Sequence, residues 1–89
     1  MTMEERFKEE HLESLLVLST AHMPSTEPDF GHLRVTSFEY GFFVCTTYPG
    51  IGVPDWILPV MTWAWDEGCT FILFDRDASR TNQFQTWNW

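Results

Sequence analysis

Eighty-nine residues with a formal net charge of -8 leave room for one domain and one core. Thirteen acidic residues against five basic ones argue against direct nucleic-acid binding: phosphate contacts need Lys and Arg, and Arg6, Lys8, Arg34, Arg76 and Arg80 are scattered. No apolar run approaches the roughly 20 residues of a membrane span, and the charged start MTMEERFKEE has no apolar signal-peptide stretch, so a cytoplasmic protein is expected.

Aromatic residues are 17% of the chain, five of them Trp. They offset the small size, since each can bury about 150–250 Å². Cys45 and Cys69 lie in apolar segments and are expected to be reduced thiols packed as small hydrophobes.

From the N-terminus, residues 1–14 read as a short helix. Thr2 and Glu5 have capping-box spacing, and Glu4–Lys8 and Arg6–Glu10 sit at i,i+4. The apolar stripe is thin (Met3, Phe7, Leu12), and Glu5, Glu9 and Glu13 form a carboxylate row on the outer face. Residues 15–20 (LLVLST) are a continuous apolar run. The pattern suits a helix extension or a buried strand; Val, Ser and Thr in succession with Pro24 close behind favour the strand. Residues 21–32 are a loop broken by Pro24, Pro28 and Gly31, longer than the usual connection and therefore a place to look for function. LRVTSFE alternates, turns near Tyr40-Gly41 and returns as FFVCTTY, the pattern of a hairpin over 33–39 and 42–48.

Residues 55–67 predict a helix, with regular turns starting near Leu58 so that Pro59 falls in the first turn, where a missing N–H is tolerated. Ile57, Val60, Met61, Ala64 and Gly68 form its core stripe. Trp56 and Trp63 flank the stripe on one side, Leu58 and Trp65 on the other, and Asp55, Thr62 and Asp66 face away. Gly68 is the expected stop. Residues 70–75 (TFILFD) read as the central strand, apolar on both faces and covered by a helix layer on one. Residues 79–89 turn polar yet keep Phe84, Trp87 and Trp89, so a tail folding back over the 15–78 core is expected. The fold class is α+β: a small four-stranded sheet with one packed helix and a short N-terminal helix. If the third and fourth strands are parallel, their helical connection is a right-handed crossover.

Three constellations bear on function. His22, Asp29 and His32 with Asp75 and Asp77 offer ligand types for a divalent metal, but their spacing fits no standard site. The plainer reading makes the histidines hydrogen-bonded loop residues and Asp75-Arg76-Asp77 a solvated strand exit with a local ion pair. Ser19, Thr20 or Cys45 beside His22 gives a nucleophile and base without a nucleophile elbow or oxyanion-hole glycines, and PGIGVP lacks the Lys and Ser/Thr of a phosphate cradle. The third is the surface: one core stripe cannot bury every tryptophan, so either the tail aromatics cover the Trp56/Trp63 flank or that flank meets a partner.

At STAHMP (19–24), PDFG and PDW…P…DEGC…FDRDA, the chain resembles a family of small uncharacterised acidic bacterial proteins from plasmids, phages and genomic islands, over most of residues 15–78. The resemblance implies a mobile-element setting, in which small acidic proteins often inhibit host defence, anti-CRISPR proteins among them; no catalytic role transfers. The expectation is thus a non-enzymatic inhibitor without a cofactor. It would occupy a basic, nucleic-acid-binding surface of a host protein such as a CRISPR effector component, as a DNA mimic, through Glu9, Glu13, Trp56, Trp63, Asp66, Glu67, Asp75 and Asp77. A small accessory enzyme or metal-binding domain around His22, His32 and Asp75 is the alternative, and a homodimeric module a third.

Overall fold

The computed structural model describes residues 13–89. The expected N-terminal helix, Glu9 included, lies outside them except for its last two positions. The fold is α+β, with four strands and one helix: β1 (Leu15–Ser19), β2 (Val35–Phe38), β3 (Gly41–Cys45), α1 (Leu58–Asp66) and β4 (Phe71–Asp75). A short 3-10 helix, Thr20–His22, follows β1 directly.

The sheet runs β1-β4-β3-β2. β4, the most apolar segment, is central: β1 pairs with it in parallel from Leu15↔Phe71 to Ser19↔Asp75, and β3 pairs antiparallel from Gly41↔Asp75 to Cys45↔Phe71. The β2–β3 hairpin completes the sheet through Val35↔Val44 and Phe38↔Gly41. This corrects the conditional crossover between the third and fourth strands. Because Cys45 faces Phe71, residues 46–70 leave and re-enter the sheet at one end, which an antiparallel pair allows and a parallel pair does not. The parallel partner is β1. Gly41 is required where hairpin and central strand meet, since a Cβ there would lie 1.7 Å from the Phe74 carbonyl oxygen.

Helix α1 starts and stops for the chemical reasons expected. Pro59 sits in its first turn, where no intrahelical donor is lost. At the other end Gly68 adopts φ +74°, its N–H donates to the Trp65 carbonyl, and the Cys69 N–H donates to Ala64. Those paired bonds around a left-handed glycine make a Schellman stop. The helix turns Ile57, Val60, Met61 and Ala64 inward onto Leu18, Val44, Ile72 and Phe74 of the sheet, all 3% exposed or less.

Period-two alternation sends every other strand residue to the opposite face, and no helix among the described residues covers it. Leu15 is 40%, Val17 46% and Phe43 39% exposed there. Both thiols are free and partly buried.

The tail has no regular structure but is fixed to the 3-10 helix. The Trp87 N–H donates to Ala21 at 2.9 Å, and Trp89 Nε1 donates to the Met23 carbonyl at 2.8 Å. His22, 1% exposed, makes the other two bonds: Nδ1 lies 2.9 Å from the Gln85 carbonyl oxygen, and Nε2 accepts the Thr81 N–H at 3.2 Å. A carbonyl on one nitrogen and an N–H on the other define the neutral Nδ1–H tautomer.

Candidate interaction surface

The open sheet face is built by register. Leu15 and Val17 on β1, Phe71 and Leu73 on β4, and Phe43 on β3 share the parity that points away from α1. Phe38 joins them from β2. Its ring lies 5.5 Å from Phe43, and Phe43 meets Phe71 edge-on at 6.5 Å and 89°. Edge-to-face contacts of this kind fix ring positions and leave a flat apolar surface across the strands.

Carboxylates stand at its margins. Glu13 precedes β1, Glu39 occupies the hairpin turn, Asp75 ends β4 with open-face parity, and Asp77 follows. Asp75 Oδ1 accepts the Asp77 N–H at 2.8 Å, so the strand exit is ordered by a local turn. The ion pair expected within Asp75-Arg76-Asp77 does not form. Arg76 lies over the Tyr40 ring, 4.6 Å from its centroid.

Of the residues that composition suggested for contact, Glu13, Asp75 and Asp77 thus fall around the open face, while Asp66 and Glu67 are exposed at the end of α1. Trp56 lies against the core. Its indole N–H donates to the Asp29 carbonyl at 2.6 Å, and its ring packs on Phe30 and Phe74 at 5.4 and 5.8 Å, so it belongs to the core margin. Trp63, 37% exposed, meets Phe84 of the tail edge-on at 6.5 Å. Trp65 is more exposed, at 47%, and is edge-on to Tyr48 at 5.6 Å. Each helix tryptophan already has a neighbour.

The apolar members of the open face, Leu15, Val17 and Phe43, were not singled out in the sequence because apolar strand residues read as core. Their signal was present: LLVLS and FILF are apolar at both parities, and the 55–67 helix covers only one face.

The candidate metal ligands are not brought together among the described residues. His22 has both ring nitrogens engaged by tail backbone, Asp29 accepts the Gly31 N–H in its own turn, and His32 is exposed beside the 50–53 turn. No group of three or more His, Cys, Asp or Glu side chains among the described residues is placed to hold a metal ion.

Among the cavities of the described residues, two lie at opposite ends of the sheet. One, about 370 Å³, is bounded by His32, Arg34, Cys45 and Thr46, and the Thr46 hydroxyl is buried with no hydrogen-bond partner among the described residues. The other, about 230 Å³, lies where β1 and β4 end and is walled by Thr20, Arg76, Arg80 and the tail residues Trp87, Asn88 and Trp89. No helix among the described residues is long and apolar enough to cross a membrane.

The model of the family described as "Family of unknown function (DUF5983) C-terminal domain" matches residues 15–89, from the first residue of β1 to the end of the tail, and the chain belongs to that family. No curated protein and no solved structure matches the chain.

Proposed function

We propose that this domain is a non-enzymatic binding protein that presents the open face of its sheet to a partner with apolar anchors and a basic rim. One observation carries the reading: Leu15, Val17 and Phe43, each about two-fifths exposed, form one continuous surface with acidic residues at its edge. Apolar centre and polar margin are the anatomy of a protein interface. The chain's net charge of -8 supplies the complementarity, since an acidic margin speeds encounter with a basic partner and disfavours an acidic one.

The mobile-element resemblance gives the finer form of the proposal. The partner is then a host defence component with a basic, nucleic-acid-binding surface, and the domain inhibits it, as anti-CRISPR proteins do, by occupying that surface in place of DNA. Glu13, Glu39, Asp75 and Asp77 stand in for phosphates around the apolar centre. The bacterial cytoplasm is the setting this requires.

The test uses purified CRISPR effector complexes with labelled target DNA. Wild-type protein should displace the DNA, more effectively at low than at high salt. The Val17→Lys/Phe43→Lys double variant should lose displacement, while Asp66→Lys/Glu67→Lys on the helix should keep it. Undiminished displacement by the double variant would transfer the site to the helix flank. Failure to displace DNA from any effector tested, at low salt, overturns the inhibitor reading. Sedimentation of the domain alone closes the remaining option. A monomer–dimer equilibrium abolished by the same double variant would make the open face a homodimer interface and remove the basic partner.

A further inference from the structure

We propose that the cavity at the carboxyl ends of β1 and β4 is a binding site for a small oxyanion, a phosphate or a carboxylate, held between Arg76 and Arg80. The site is distinct from the open sheet face and independent of the partner proposed for it.

Charge is the first argument. In a chain with 13 acidic and five basic residues, two of the three cations among the described residues line one cavity. Chance and solubility both favour the opposite arrangement, because an isolated cation in an acidic protein is expected beside a carboxylate. Neither arginine forms an ion pair with a carboxylate among the described residues; of the two aspartates that flank Arg76 in sequence, Asp75 accepts the Asp77 N–H.

Preorganisation is the second. The Arg76 backbone N–H donates to the Tyr40 carbonyl at 2.9 Å, and its guanidinium carbon lies over the same residue's ring, 4.6 Å from the centroid. That contact fixes the guanidinium in place, and a guanidinium offers the forked geometry that carboxylates and phosphates accept. The opposite wall is equally fixed, since the bonds from Trp87 to Ala21 and from Trp89 to Met23 hold the tail before any ligand arrives. Walls ordered in advance reduce the entropy cost of binding.

Position and size agree. Ser19↔Asp75 is the last pair of the parallel β1–β4 ladder, and the cavity opens just beyond it, lined by Ser19, Thr20 and Arg76. A volume of about 230 Å³ is well above the space one water needs and is enough for a phosphate or a short carboxylate. Asn88 and Thr20 add neutral polar groups to the lining.

Nuclear magnetic resonance titration of the intact chain with inorganic phosphate and, separately, acetate tests this, with sodium chloride at matched ionic strength as reference. The expected result is saturable shifts of the Trp89 indole and of the Thr20, Arg80 and Asn88 amides, at about millimolar concentration for an exposed pair of cations. Phosphate saturating at the lower concentration assigns a phosphate ligand, and acetate doing so assigns a carboxylate. Arg80→Gln, which removes no contact to the core, should weaken binding about tenfold, and Arg76→Gln at least as much. Arg80→Lys should fall between. Chloride reproducing the shifts, no saturation with either anion, or undiminished binding by a folded Arg80→Gln variant would each overturn the proposal.

Discussion

The two faces of one sheet are built from the same residue types and end in opposite states. On the covered face Val44, Ile72 and Phe74 are fully buried beneath α1. On the open face Phe43, next to Val44 on β3, and Val17, next to the buried Leu18 on β1, stay 39% and 46% exposed. Residue hydrophobicity is therefore not what separates them; the number of covering layers is. Among the described residues one helix is long enough to close one side, and the aromatic tail goes to the 3-10 helix and the Trp63 flank. The comparison teaches that an apolar strand of both parities in a small domain marks a surface as readily as a core.

Paired truncations break the comparison most sharply. Phe74→Ala should cost about 3–5 kcal/mol, the range for emptying a closed aromatic site, whereas Phe43→Ala should cost about 1 kcal/mol or less, because much of its ring is in water in both states. Urea unfolding midpoints measure both. Equal losses would mean that the open face is sealed in solution. Gly41→Ala is the next largest, at about 3 kcal/mol: its Cβ would collide with the Phe74 carbonyl at the junction both faces share, so β3 must shift off β4 and both faces lose their register.

His22 distinguishes a structural from a chemical histidine. His22→Ala leaves the Gln85 carbonyl and the Thr81 N–H without their partner in a partly buried setting, at about 1 kcal/mol for each group besides the lost packing of the buried ring, and should total about 2–4 kcal/mol. The loss should be accompanied by faster tryptic cleavage after Arg80 as the tail is released. A histidine that served a metal or a substrate would leave stability and cleavage unchanged.

The fold was legible where local chemistry decides it. Pro59 and Gly68 bracket α1 because one lacks a donor and the other tolerates a left-handed backbone, and both properties act within one turn. Strand pairing was not legible in the same way. That β4 runs parallel to β1 and antiparallel to β3 depends on where residues 46–70 re-enter the sheet, which no local pattern encodes. The tryptophans divided along the same line. Helical spacing placed Trp56 on a flank, but its contact with Asp29 and Phe30 comes from the 21–32 loop, whose path is a tertiary outcome. The carboxylates were visible by composition, and Glu39 escaped notice because a hairpin turn makes a charge unremarkable. Arg76 and Arg80 read as scattered cations because what unites them is the return of residues 87–89.

The smallest expected effects on stability are the most informative about function. Val17→Lys replaces a half-exposed side chain whose aliphatic stem can lie along the same surface while the charge reaches water, so its cost to the fold should stay within about 1 kcal/mol. The Asp66→Lys/Glu67→Lys change on the exposed end of α1 should stay within about 0.5 kcal/mol, although placing cations near the carboxyl end of a helix is mildly favourable and moves the net charge by +4. The pair therefore separates shape from charge. If long-range charge alone draws the partner, the helix reversal should reduce its association rate as much as any acidic change of equal size, and added salt should erase the difference. If the apolar face is the contact, Val17→Lys should raise the dissociation rate at every salt concentration, despite a charge change of only +1, while the helix reversal slows association and leaves dissociation near the wild-type value. Stopped-flow association and dissociation measured with both variants at two ionic strengths decides between them, and a helix reversal that speeds dissociation more than Val17→Lys would place the contact on α1.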